Sequence, residues 1–298
     1  MQTDLYFSDY RISTITCNAN IGDDINIVLH TLFKNIEIKE NQNDSFVWIQ
    51  YLKEDDNNFR GVYPKKKRKT KKNTTNKNRF DNQITVIYKY NNDYMPNIKI
   101  FKNGNIQLTG IKDFDHPKQI VDEIIQNIKY IYNNIDKSII VSNYVDTNPI
   151  ERLEYKNFKI RMINSDFKIY TDPDMSNRFN IKRKELHNIL ISDKYNNKSS
   201  FQPGVYQGVK LEYYWNSNVS KNTNGVCSCS MNCFGKHSGY GDGNCKKVTI
   251  AIFESGSILI TGGITIEQVD EAYNYICKII KNNKNTIQKN TMVTQLVI

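Results

Sequence analysis

One hairpin is written twice in this chain. Residues 100–110 read I-F-K-N-G-N-I-Q-L-T-G and residues 252–262 read I-F-E-S-G-S-I-L-I-T-G, with Phe101 and Phe253 standing 152 residues apart. Both spell I-F-x-x-G-x-I-x-x-T-G. In each, an alternating strand runs into Asn103-Gly104 or Ser255-Gly256, where glycine supplies the positive φ of a tight turn, and a second alternating strand follows. Gly110 and Gly262 are expected to end that second strand. A doubled supersecondary unit constrains the fold strongly, because each copy must bury an equivalent face.

An amphipathic helix follows each hairpin. After the first, Asp115 stands at the cap position, Pro117 lies in the first turn, and Ile120, Ile124, Ile128 and Ile131 share one face. After the second, Thr265 and Gln268 make a capping-box pattern, with Val269, Ala272, Ile276 and Ile279 on one face. The halves also begin alike: residues 12–21 align with 160–169, each strand-like and each leading into a helical pattern, at 23–36 and 180–192. The order strand, helix, long strand region, hairpin, helix thus occurs twice. It divides the chain into repeats at 1–148 and 149–298 and predicts an α+β fold.

Charge bears on partners. The chain of 298 residues carries 41 basic against 31 acidic side chains, a formal +10, which favours polyanions: nucleic acid first, an anionic membrane second. Hydrophobic residues make up 39%, enough for a packed core. No window approaches the roughly 18 apolar residues of a membrane span. Met1–Tyr10 has two Asp and no basic-then-apolar stretch, so no signal peptide is expected. The expectation is an intracellular protein whose six cysteines are reduced or metal-bound.

On the doubled hairpin and its helix, the chain resembles the TATA-box-binding protein family, whose two repeats each carry a similar I-F-x-S-G-K-x-x-x-T-G hairpin before a long helix. It is still more similar to the TATA-binding-protein-like proteins of giant DNA viruses. The likeness is firmest at 98–131 and 248–280, extends to 12–36 and 158–215, and fades through 40–90. It implies a TBP-like saddle: a curved antiparallel sheet with helices on its convex side, its concave side in the minor groove of double-stranded DNA. Apolar wedges then kink the duplex. By position, Phe101 and Phe253 match the hairpin phenylalanine of each wedge pair. The partner wedges fall on Tyr206, within P-G-V-Y-Q-G-V-K, and on Phe80. Read as residues alone, Phe101 and Phe253 fit a packed core, and Tyr206 and Phe80 fit a surface or core position as well as a wedge. The groove-facing hairpin positions fall on Gln107, Thr109, Leu259 and Thr261. The family's central Asn on the first strand of each repeat becomes Thr14 and Met162, and the valines two residues on become Thr16 and Asn164. Met162 offers no donor, so recognition of a TATA sequence is not implied.

Two insertions depart from the family pattern. The first, about 64–79, opens Pro64-Lys65-Lys66-Lys67-Arg68-Lys69-Thr70-Lys71-Lys72. It is too charged to pack and reads as phosphate contact, as a nuclear import signal or as a solvated run. The second, about 216–247, gathers Cys227, Cys229, Cys233 and Cys245 within nineteen residues, with His237 between them. In a reducing compartment such thiolates hold Zn²⁺ in a tetrahedral structural site; paired disulfides and free thiols are the other readings. Cys17 and Cys277 sit on strand and helix patterns and read as core.

No catalytic set is visible: there is no Walker loop and no H-E-x-x-H, and none of the four histidines pairs by spacing with a nucleophile or carboxylate. The expectation is therefore a non-enzymatic DNA-binding protein in viral transcription initiation, with initiation factors and RNA polymerase as partners. One polypeptide completes a saddle as a monomer, and a homo-oligomer is not required. A viral factory in the host cytoplasm, the virion or the host nucleus would house it. Two other readings stand beside this one: a genome-packaging protein without sequence preference, and a protein-interaction module built on the same fold and the zinc loop.

Overall fold

The computed structural model describes residues 4–53, 58–63, 82–142, 148–218 and 224–289. In chain order the first half runs β1 Tyr6–Phe7, β2 Arg11–Asn20, β3 Ile25–Ile27, α1 Leu29–Asn35, β4 Ser45–Gln50, β5 Phe59–Gly61, β6 Gln83–Lys89, β7 Asn97–Phe101, β8 Asn105–Ile111, α2 His116–Asn134 and β9 Ile140–Ser142. The second runs β10 Lys156–Tyr170, α3 Arg183–Ile191, β11 Lys198–Ser200, β12 Val209–Trp215, β13 Lys246–Ile252, β14 Ser257–Gly263, α4 Ile266–Asn282 and α5 Lys284–Ile287. Two compact units result, one of Thr14–Ile160 and one of Met1–Ser13 with Arg161–Ile298. Each is α+β, the class the repeat predicts.

In the first-repeat unit, β2, β8, β7, β6, β4 and β5 pair in that order, all antiparallel. Alternation decides which side is covered. Ile98, Ile100, Ile106 and Leu108 are buried, together with Cys17 and Ala19, and α2 lays Ile120, Ile124, Ile128 and Ile131 over the sheet. Each isoleucine so removed from water contributes roughly 1.5–3 kcal/mol. Helix α1 starts at Leu29, later than the sequence pattern predicts. Ile25 and Ile27 are instead buried in a short strand, where residues 25–27 pair with 140–142. Asp115 stands at the start of α2, yet its side chain caps nothing; Asp113 accepts from the Asp115 amide at 2.9 Å.

The second-repeat unit has the order β11-β12-β13-β14-β10, with β1 along β10. Helix α4 covers its buried side with Val269, Ala272, Ile276 and Ile279. Its capping box forms: Thr265 Oγ1 accepts from the Gln268 amide at 3.3 Å, and Gln268 Oε1 accepts from the Ile264 amide at 2.8 Å. Residues 4–13 belong here, tied down by Tyr273 Oη donating to the Ser8 carbonyl at 3.1 Å and Arg11 on the Asp166 carboxylate at 3.0 Å.

Gly110 and Gly262 do not end their strands. They lie inside β8 and β14 with φ of 82° and 95°, where the register slips by one residue. Each makes a β-bulge, a place where glycine's freedom at positive φ is required.

Candidate nucleic-acid interface

The helix-free face of each sheet carries the other half of the alternation. In the second-repeat unit two cross-strand rows occupy it: Ser200, Lys210, Ala251, Leu259 and Asp166, then Lys198, Glu212, Thr249, Thr261 and Asn164. Lys210, Glu212, Thr249, Ala251, Leu259 and Thr261 line a shallow groove of about 600 Å³ there. Thr261 Oγ1 donates to the Thr249 carbonyl at 3.5 Å, and Thr109 Oγ1 to the Asn97 carbonyl at 3.2 Å in the first repeat. Both hydroxyl protons are thus spent within the sheet, and the threonines offer a methyl and an acceptor rather than a donor. Met162 and Asn164 follow the same parity along β10. Asn164 Oδ1 is buried without a partner, and its backbone carbonyl accepts from Ser13 Oγ at 3.0 Å.

Glu212 is the residue on this face that the sequence reading missed. Lys247 Nζ lies 2.9 Å from its carboxylate, Lys198 Nζ 3.6 Å, and Tyr214 Oη donates at 3.0 Å. Burial opposes ionisation, but the bonds from Lys247 and Tyr214 outweigh it and hold the carboxyl below its usual range. Period-two alternation from the hairpin back into β12 would have found it, along with Lys210.

At the hairpin end, Tyr206 and Phe253 come together with ring centroids 5.8 Å apart, and Lys210 Nζ sits 4.2 Å from the centre of the Tyr206 ring. Gly208 packs against both rings, leaving no room for a Cβ. Neither aromatic belongs to the buried core. In the first repeat Phe101 has the equivalent place at the end of β7 and is likewise half-buried. Phe80 and the basic run Lys65, Lys66, Lys67, Arg68, Lys69, Lys71 and Lys72 lie outside the described residues.

The first-repeat open face has a different chemistry. One row reads Gln50, Thr85, Lys99, Gln107 and Asn18, uncharged but for one lysine. The next contains Trp48, Ile87, Asn97 and Thr109, and here Val47, Trp48 and Ile87 form a second apolar cluster, with Met95 against it. Tyr63 closes edge-on over Trp48 at 4.9 Å. Thr14 and Thr16 share this parity on β2, half-buried.

The Cys-rich insertion is built as a cluster. The sulfurs of Cys227, Cys229, Cys233 and Cys245 all lie within 4.8 Å of one another, with Cys229–Cys245 at 3.3 Å and Cys227–Cys245 at 3.7 Å. Tetrahedral Zn–S bonds of about 2.3 Å require S–S separations of about 3.8 Å, so the four thiols fit a metal ion. Burial pushes the Cys245 thiol up. Burial raises Cys233 as well, but the backbone amides of Gly235 and Cys245 together with the neighbouring thiols outweigh it and hold Cys233 below the ordinary thiol value. Asn216 Nδ2 reaches Cys245 Sγ at 3.6 Å and the Gly241 carbonyl at 2.7 Å, supporting the loop from β12. His237 is exposed and not one of the four. Cys17 is buried and Cys277 half-buried, as core positions.

A hydroxyl–imidazole pair does form, His187 Nδ1 with Ser199 Oγ at 3.0 Å, which the sequence spacing had not suggested. It links α3 to β11. Among the described residues, no helix is long and apolar enough to cross a membrane.

Comparison with known proteins places these features. The family model described as "Transcription factor TFIID (or TATA-binding protein, TBP)" matches residues 243–283, which hold the second hairpin and all of α4. A "TATA-box-binding protein-like" protein of Acanthamoeba polyphaga mimivirus is 30% identical over 284 residues, covering 91% of this chain. The chain spans 64% of that relative's length. Among solved structures, Methanococcus jannaschii TBP matches at 14% identity over 92% of this chain and 99% of its own, with a TM-score of 0.46. In its second hairpin and α4, and along most of its length against the mimivirus protein, the chain is similar to TATA-box-binding proteins.

Proposed function

We propose that the chain binds double-stranded DNA through the open faces of its two repeats, in the minor groove, and bends it as a TBP-like factor in viral transcription initiation. The observation that carries this reading is the Tyr206–Phe253 pair, two aromatics kept out of the core at the end of a hairpin whose outer face is largely threonine, alanine and leucine. Aromatics so placed enter a base step, and the few kcal/mol of unstacking is offset by the contact that bent DNA allows. Phe101 does the same in the first repeat. Gln107, Thr109, Leu259, Thr261, Thr14, Thr16, Met162 and Asn164 line the groove, and the lysines of 65–72 neutralise phosphates. Zn²⁺ on Cys227, Cys229, Cys233 and Cys245 would fold the insertion. Initiation factors and RNA polymerase are the partners this role calls for.

A duplex in which inosine replaces guanine in G·C pairs tests the groove. It lacks the guanine 2-amino group in the minor groove while keeping the major-groove pattern. Binding to I·C DNA as tight as to A·T DNA supports minor-groove contact; binding as weak as to G·C DNA sinks it.

A second reading, DNA packaging without promoter preference, draws on Met162 and on the spent hydroxyls of Thr109 and Thr261, which leave few donors for base edges. It predicts equal affinity for random and AT-rich duplexes at matched salt.

A further inference from the structure

We propose that the Cys-rich loop is a separate nucleic-acid contact, taking an unpaired DNA strand next to the duplex, with a base stacked on Phe234 and a phosphate on Lys236. The inference rests on the DNA-binding reading above only for the duplex arm of its test.

Three observations carry it. The first is exposure held in place by structure. Phe234 is 69% exposed and Met231 67%, both on one short loop. That loop is not slack. Its four thiols converge, the Lys247 amide donates to the Gly235 carbonyl at 2.8 Å, and Gln268 Nε2 donates to the Ser238 carbonyl at 3.0 Å. A large ring kept out of a core on a fastened loop is a binding feature rather than a loose end.

The second is charge. Lys236 is exposed and pairs with the half-buried Lys246 across an antiparallel bridge. Between residues 224 and 247 Asp242 is the one carboxylate; it is exposed but engaged within the loop, accepting from the Ser230 amide at 2.9 Å and from the Ser230 hydroxyl. The nearby Glu212 is neutralised by Lys247 and Lys198. An exposed aromatic close to an exposed lysine, on a Ser-, Gly- and Asn-rich loop whose one carboxylate is hydrogen-bonded within it, suits a base and its phosphate better than an apolar protein surface.

The third is continuity. Gly235, next to Phe234, packs against Tyr214 and Lys247, both on the open face of the second-repeat sheet. The loop therefore extends the face proposed to carry the duplex. An unpaired strand offers its bases to Phe234 without the unstacking that entry into a paired step costs, so the occupant is an unpaired strand.

The test compares three probes on the full chain: a blunt AT-rich duplex, the same duplex with a tail of about ten unpaired thymidines, and the oligothymidine alone. The tail should tighten wild-type binding by about tenfold. Phe234→Ala and Lys236→Glu should each lose that gain while keeping wild-type affinity for the blunt duplex. Lys236 is exposed, so its variant folds even if Phe234→Ala does not. Equal affinity of the wild type for tailed and blunt duplexes overturns the proposal. So do variants that keep the gain, or that weaken on both probes alike. Displacement of the tail by a polyglutamate peptide rather than by oligothymidine would mean an acidic protein partner and overturns it too. Should the wild type bind no blunt duplex, the open-face reading has failed. The loop is then judged on oligothymidine alone, where binding lost in Phe234→Ala supports it and no binding overturns it.

Discussion

Single residues on the open faces separate DNA contact from folding. Phe253 and Tyr206 touch each other and Gly208, but neither is part of the buried core. Phe253→Ala should therefore weaken duplex binding by about tenfold or more, on the order of the 1–3 kcal/mol of a base–aromatic contact, with little change in thermal midpoint. A large fall in the midpoint with unchanged affinity would mean that the ring is structural. Glu212 argues in the opposite direction. Its carboxylate occupies Lys247 and Lys198, so Glu212→Gln should free both cations, tighten binding and steepen the slope of log affinity against log salt by about one. A salt titration of the two proteins measures this. Phe253 was legible in the sequence because it belongs to a repeated motif. Glu212 was missed because the hairpin motif stops short of β12; only the alternation along β12 itself carries it.

At the scale of elements, the repeated hairpins and the long helices were legible because their signals are local: a turn glycine, a capping box and a face of isoleucine. The misreadings were of long-range pairings. Residues 25–27 look helical until 140–142 zip to them, and Gly110 and Gly262 look like strand ends until the neighbouring strand's register is known. Gly262→Ala should cost about 1–3 kcal/mol in urea denaturation, since a side chain would have to adopt φ near 95°. The Cys-rich loop was legible as a cluster of thiols but not in its attachments, because the Gly239 backbone against Trp215 and the Ser238 carbonyl on Gln268 are tertiary contacts. Refolding with Zn²⁺ should give one bound ion per chain by elemental analysis, with Cys245→Ser lowering the stoichiometry and a chelator lowering the thermal midpoint of the wild type. Wild-type protein purified with no metal and indifferent to chelator would show the thiols to be free.

For the molecule as a whole, the decisive question is what a +10 chain with two unlike open faces does to a duplex. Charge alone predicts binding that collapses with salt and ignores sequence, each neutralised phosphate contributing about 0.9 to the slope. The proposed wedging by Phe101 and Phe253 would add a component that survives salt and prefers easily unstacked AT-rich steps. The measurement that separates them is affinity for short AT-rich and GC-rich duplexes across a salt series, for wild type and for the Phe101→Ala/Phe253→Ala double variant. Salt-sensitive binding that favours AT-rich DNA, with the preference lost in the variant, is the predicted result. Binding that is indifferent to sequence and unaffected by the double substitution would contradict it and leave only phosphate contact.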